Sequence, residues 1–202
     1  MDDAVKHFEK LRKQIDIQLG KGKSGEIFCE ADTLTGNESP EEIGIWTEKI
    51  TEKLENAIPD EKLIPIREEC ACIKANKYSA YNKKYFPKIR EKYPDNDEEY
   101  LKAVAEFLSG RGRCGKIVEY ADGKIISHFS FSDSCVCAVI NSGSGKPPSS
   151  TWCRCCQGTV KSILQYVFPD KKYNMDIIET FATGGKDCVF SASYTNETES
   201  CE

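Results

Sequence analysis

The chain has 202 residues, with 28 lysines and arginines against 33 aspartates and glutamates, a formal charge of −5. That balance argues against a general polyanion-binding surface, and 39% apolar with 30% charged residues is the composition of a folded globular protein. Eleven cysteines are too sparse for a disulfide scaffold and too dense for chance packing.

The first residues, MDDAVKHFEKL, are acidic at once and show no apolar stretch of the signal-peptide kind. The central apolar run Val136–Ile140 is far short of a membrane span. These features point to a cytoplasmic protein with no membrane partner. In a reducing compartment, grouped cysteines read as metal ligands or redox groups before disulfides.

Val5, Phe8, Leu11, Arg12, Ile15 and Leu19 follow helical spacing, and the glycines from Gly20 to Gly25 break that helix. Ser39, Pro40 and Glu42 predict a capped second start, with Ile43, Trp46, Ile50, Leu54 and Ala57 on one face. Asn96 or Asp97 caps a later helix bearing Leu101, Val104 and Leu108 and ending at Gly110. Between Cys70 and Lys92, seven basic residues interleave with Tyr78, Tyr81, Tyr85 and Phe86. That mixture can bind single-stranded nucleic acid by charge and stacking, but the acidic chain around it favours a solvated basic face.

From residue 111 the period changes. Lys116–Tyr120 and Lys124–Phe131 predict strands about an Asp122-Gly123 hairpin turn, and Ser134–Ile140 continues as a strand. A helix is predicted from Ser150 or Thr151 to Val167, then strands over Met175–Ala182 and Cys188–Ser193 joined at Gly184-Gly185. The expected fold is α+β. A helical region covers 1–110, a C-terminal antiparallel sheet with a helix between hairpins covers 111–194, and a frayed tail covers 195–202.

Seven cysteines form tight groups: Cys70 with Cys72, Cys135 with Cys137, and Cys153 with Cys155 and Cys156. On a strand Cys135 and Cys137 share a face, and near a helix start Cys153 and Cys156 lie on one side. A helix N-terminus favours thiolates, the form that binds zinc or attacks electrophiles. The spacing matches neither a zinc ribbon nor a ferredoxin, which places zinc ahead of an iron–sulfur cluster. Cys29, Cys114 and Cys201 read as ordinary small hydrophobes, and His128, in a strand, as a hydrogen-bonded structural residue.

The stretch Trp152-Cys153-Arg154-Cys155-Cys156-Gln157-Gly158, a helix, Met175–Glu179 and Gly184-Gly185-Lys186-Asp187-Cys188-Val189-Phe190 resembles the C-terminal signature of four-vinyl-reductase-type domains. These share the fold of small subunits of the TRAPP vesicle-tethering complex and of sensor domains in aromatic-responsive activators. The resemblance implies zinc held by Cys156, Glu179 and Cys188, with Ala182 standing where the family's middle cysteine falls. It also implies an apolar pocket, fed here by Ile126, His128, Phe129, Phe131, Ile163, Val167, Ile178 and Phe190, for a small apolar or aromatic molecule.

The function expected from the whole is a zinc-binding protein with a small-molecule-binding or sensory domain. The alternatives are a thiol-dependent or zinc-dependent hydrolase, or an assembly module, for which a homo-oligomer stays open. No Ser-His-Asp order, dinucleotide fingerprint or zincin motif raises the enzyme reading.

Overall fold

A computed structural model describes residues 3–195. Helix α1 (Asp3–Leu19) buries Ala4, His7, Phe8, Leu11 and Ile15, and the Arg12 guanidinium extends that stripe 5.8 Å over the Phe8 ring. A short α2 (Lys23–Ile27) turns the chain toward α3 (Pro40–Ala57). There the expected capping box is formed. Ser39 Oγ accepts from the Glu42 N–H, and the Glu42 carboxylate accepts from the Ser39 N–H.

Helix α4 (Asp60–Glu69) carries Pro65 and has no counterpart among the predicted elements. Half of its buried face is Arg67 and Glu68, so no apolar period announces it. A π turn (Tyr81–Tyr85) leads into α5 (Phe86–Arg90) and then α6 (Asp97–Leu108), which Asn96 caps through its side chain. Tyr81 and Tyr85, both partly buried, pack on Phe107.

Strands β1 (Ile117–Ala121) and β2 (Lys124–His128) form the predicted hairpin, with Asp122 and Gly123 both at positive φ. The strand expected over Ser134–Ile140 is absent. Its end coils into α7 (Ala138–Asn141), one turn that buries Val139 and Ile140 against helices rather than pairing with the sheet. Helix α8 (Ser150–Leu164) starts one residue earlier than the predicted caps allow. Its N-cap is Ser149, whose hydroxyl bonds Glu55 instead of the helix. Strands β3 (Lys172–Glu179) and β4 (Val189–Thr195) complete an antiparallel sheet of order β1-β2-β4-β3. Cys201 lies outside the described residues.

Two hydrophobic cores result, and each draws on both sides of residue 110. The first joins α1, α3 and α4 to Cys135, Cys137, Val139, Ile140, Trp152 and Cys155. The second joins α5 and α6 to the sheet and to Val160, Ile163 and Leu164 of α8. Helix α8 therefore runs between the two, one face in each. Its contact with α4 is so close that a Cβ on Gly158 would overlap the Glu68 carbonyl. Arg67, fully buried, fixes the same crossing by donating to the Trp152 carbonyl at 3.0 Å and to His7 Nε2 at 2.9 Å.

Candidate thiolate centre

Three segments bring cysteines together around the first two turns of α8. The irregular chain before α7 supplies Cys135 and Cys137, α8 supplies Cys153, Cys155 and Cys156, and the turn entering β4 supplies Cys188. All six are free thiols, and all but Cys156 are buried. The thiols are close enough to influence one another in pairs: Cys153 with Cys188, Cys137 with Cys155, and Cys155 with Cys156.

Cys188 is the thiol whose pKa goes down. The Cys153 thiol, the Phe181 N–H and the Ser130 hydroxyl all donate to its sulfur, which lowers its pKa to about 7 against the opposition of burial and of nearby Asp187. The local chain explains why it sits there. After β3 the Glu179 carboxylate accepts from the backbone N–H groups of Lys186 (2.7 Å) and Asp187 (3.1 Å), tightening the turn that delivers Cys188. Gly185 is required at this turn, because a Cβ there would overlap the Glu179 side chain. Asp187 then accepts from the N–H groups of Ser130 and Cys188, locking the turn to the chain after β2.

The other thiols go the opposite way. Cys153 is raised first by giving its proton to Cys188 and then by burial. Cys137 is raised by its bond to Cys155 and by burial, and burial first, with the charges of Cys137 and Cys188 adding, pushes Cys135 up to about 12. For Cys155 and Cys156 the bond each receives from a neighbouring thiol is the largest single effect and a lowering one, yet both are raised on balance. Cys155 is raised by its bond to Cys156 together with burial, and Cys156 by burial together with the charges of Cys137, Cys153 and Cys188. The expectation that the helix start would ionise Cys153 and Cys156 is therefore corrected. Cys153 lies a full turn inside α8, where the dipole has faded, and desolvation dominates.

Further corrections concern the remaining predicted residues. Cys135 and Cys137 are not on a strand and do not share a face by alternation. Glu179 holds the turn through one carboxylate oxygen, Oε1, which accepts from both N–H groups. The eight pocket residues are divided between two faces of the sheet. The period of two in β2 turns Ile125 and Ser127 inward, so Ile126 and His128 point outward, and Ile178 is exposed after a bulge. Phe131 is half exposed. Ile163, Val167 and Phe190 fill the second core, and Phe129 leans on Phe190 with ring centroids 5.9 Å apart. His128 sits between Asp187 (3.2 Å) and Glu119 (3.4 Å) beside a shallow cavity of about 200 Å³.

Cys70 and Cys72 stand apart from this centre. They line a cavity of about 340 Å³ with Asp3, Lys6, His7, Lys10, Cys137, Ala138 and Val139. Its apolar part comes from the helical side, which no sequence pattern singled out. Among the described residues no three His, Cys, Asp or Glu side chains are arranged to hold one metal ion, and no helix is long and apolar enough to cross a membrane.

A family model described as a family of unknown function (DUF6144) matches residues 6–198. No curated protein and no solved structure matches the chain.

Proposed function

The chain belongs to that family of unknown function, and from its sulfur chemistry we propose that it binds a soft metal ion, zinc foremost, through a centre built on Cys188 and Cys153. The observation that carries this reading is a buried cysteine, Cys188, beside an anion, Asp187, with its pKa nonetheless drawn down to about 7. Hydrogen bonds alone would hold a charge on its sulfur, and a bound cation would compensate it. The contacting pair supplies two donors. Cys135 and Cys156, the other thiols whose charge is felt at Cys188 or by it, would complete a four-sulfur set by side-chain rotation.

The ion would tie α8 to β4 and to the chain before α7, a structural role in a reducing compartment such as the cytoplasm. A thiol-dependent hydrolase is less well supported. Its nucleophile must reach a substrate, whereas Cys188 and Cys153 are 1% and 3% exposed.

Elemental analysis of protein purified under reduction and without chelator tests the proposal. It should give about one zinc per chain, lost in Cys188→Ser. Wild-type protein free of every transition metal contradicts the proposal. A brown protein with iron and charge-transfer absorption replaces zinc by an iron–sulfur cluster.

A further inference from the structure

The basic segment before α6 meets two further cations that lie outside it in the sequence. The loop 109–113, between α6 and β1, brings Arg111 and Arg113 beside Tyr81 and Tyr85, and together they line an open cavity of about 570 Å³. That volume is in the range of small-molecule sites. Two hydrogen bonds fix the loop. Gly110 donates to the Lys116 carbonyl at 3.1 Å, and the Val118 N–H donates to Ser109 Oγ at 3.2 Å. The floor is aromatic, with the Tyr85 ring 5.0 Å from Phe107 and 6.2 Å from Tyr81. The Arg111 guanidinium sits 4.0 Å over the Phe107 ring and commits only its Nε–H, to the Phe107 carbonyl. Among the described residues no carboxylate pairs with Arg111 or Arg113, and no acidic side chain lines the cavity. Ser79 also lines it, and its hydroxyl oxygen is buried with no hydrogen-bond partner.

We propose that this cavity binds a small phosphate monoester bearing a flat ring, of the nucleoside monophosphate class. Arg111 and Arg113 take the phosphate, and the Ser79 hydroxyl donates to one of its oxygens. The ring lies against Tyr81 and Tyr85. Guanidinium forks match phosphate oxygens two at a time, and two forks without a carboxylate suit a dianion better than a single carboxylate. The hydroxyl points the same way. A buried O–H without an acceptor is costly, and a phosphate oxygen beside it relieves that cost. Tyrosine rings next to an anion site accept any base, because every base has a flat face. A long strand fits less well. The chain carries a charge of −5, and the ammonium groups of Lys77 and Lys84 lie over the rings of Tyr78 and Tyr85 at 5.2 and 5.8 Å. The two guanidiniums therefore mark one phosphate position and not a track of them. No cysteine lines this cavity, so the site stands independently of the thiolate centre.

Isothermal titration calorimetry of the full chain at low salt tests this, with adenosine, guanosine, cytidine and uridine monophosphates as probes. At least one should bind with a Kd below about 1 mM. Arg113→Ala should weaken that binding by about tenfold or more, through loss of charge-assisted hydrogen bonds. Ser79→Ala should weaken it by about fivefold, yet leave the melting temperature of the free protein unchanged or higher, since the hydroxyl has no partner to lose. Lys21→Ala, which removes an exposed cation between α1 and α2, should bind as wild type does. Absence of saturable binding for all four nucleotides overturns the proposal, as does equal affinity in the wild type and both cavity variants. Inorganic phosphate bound as tightly as the nucleotides leaves the rings no role and overturns the nucleotide assignment. An oligouridine strand bound more than about a hundredfold tighter than uridine monophosphate overturns it in favour of a single-strand interface.

Discussion

The two sulfur contacts on either side of α8 have the same chemistry and opposite outcomes. At Cys153–Cys188 the acceptor sulfur has three donors at a tight turn, and its pKa is drawn down to about 7. At Cys137–Cys155 the acceptor is itself a donor to Cys156, lies fully within the helical core, and has its pKa raised. Both pairs are buried, and both use a cysteine from α8. The difference lies in the number of hydrogen bonds converging on one sulfur, which a turn stapled by Glu179 and Asp187 can supply and a helix flank cannot.

The largest expected effect separates the two sides altogether. Gly158→Ala forces a methyl group into the Glu68 backbone and should destabilise by about 3 kcal/mol, the upper part of the range for overpacking, because backbone cannot yield as a side chain can. Chemical denaturation measures this. A loss below about 0.5 kcal/mol, as for an ordinary surface substitution, would mean α4 and α8 are not in this contact.

Next in size is the thiolate itself. The ultraviolet absorbance of the apoprotein should titrate one thiolate with a midpoint near pH 7. Cys188→Ser should remove that step, and Cys153→Ser should move it upward by withdrawing the first donor. Cys155→Ser should leave it in place. An unmoved midpoint in Cys153→Ser would show that the two sulfurs do not share a proton. The sign for stability follows. A folded pKa below the unfolded value adds stability above about pH 8.5, the reference thiol value, and that contribution is lost as pH falls through about 7.

On the helical side the titrating group is His7. Burial first, then the charges of Arg67 and Lys10, hold its pKa well below 6.5. The unfolded chain therefore binds a proton that the folded one refuses, and stability falls as pH drops below about 6.5. His7→Gln should flatten this slope in melting temperatures compared between pH 7 and pH 5. A slope kept intact in the variant would assign the acid sensitivity elsewhere. The smallest effect belongs to Cys29→Ser, expected within about 0.5 kcal/mol of wild type, because that thiol is exposed and outside both pairs.

Much of the fold was readable because its elements carry local signatures. The Ser39 box, the Asn96 cap and the Asp122-Gly123 turn each act within four residues, and each stands where the pattern placed it. The helical N-terminal half and the C-terminal antiparallel sheet follow from the change of period near residue 111. Helix α4 was not legible, since it buries arginine and glutamate against partners about ninety residues away. The turn at Ala138–Asn141 was hidden because a short β-branched run is ambiguous between strand and helix. The sequence grouped the cysteines but did not say which one has its pKa lowered. That depends on Ser130, Phe181 and the Glu179 turn, contacts made only once the chain is folded. Nor did spacing reveal that Cys72 and Cys137 share a cavity, since α1 and α7, far apart along the chain, meet there.

The most direct measurement is the zinc-edge X-ray absorption spectrum of the wild-type protein as purified under reduction. The account predicts a first shell of sulfur at about 2.3 Å, with four scatterers and no oxygen contribution. A shell of oxygen and nitrogen alone, at about 2.0–2.1 Å, would contradict it by placing the ion away from the Cys153–Cys188 centre.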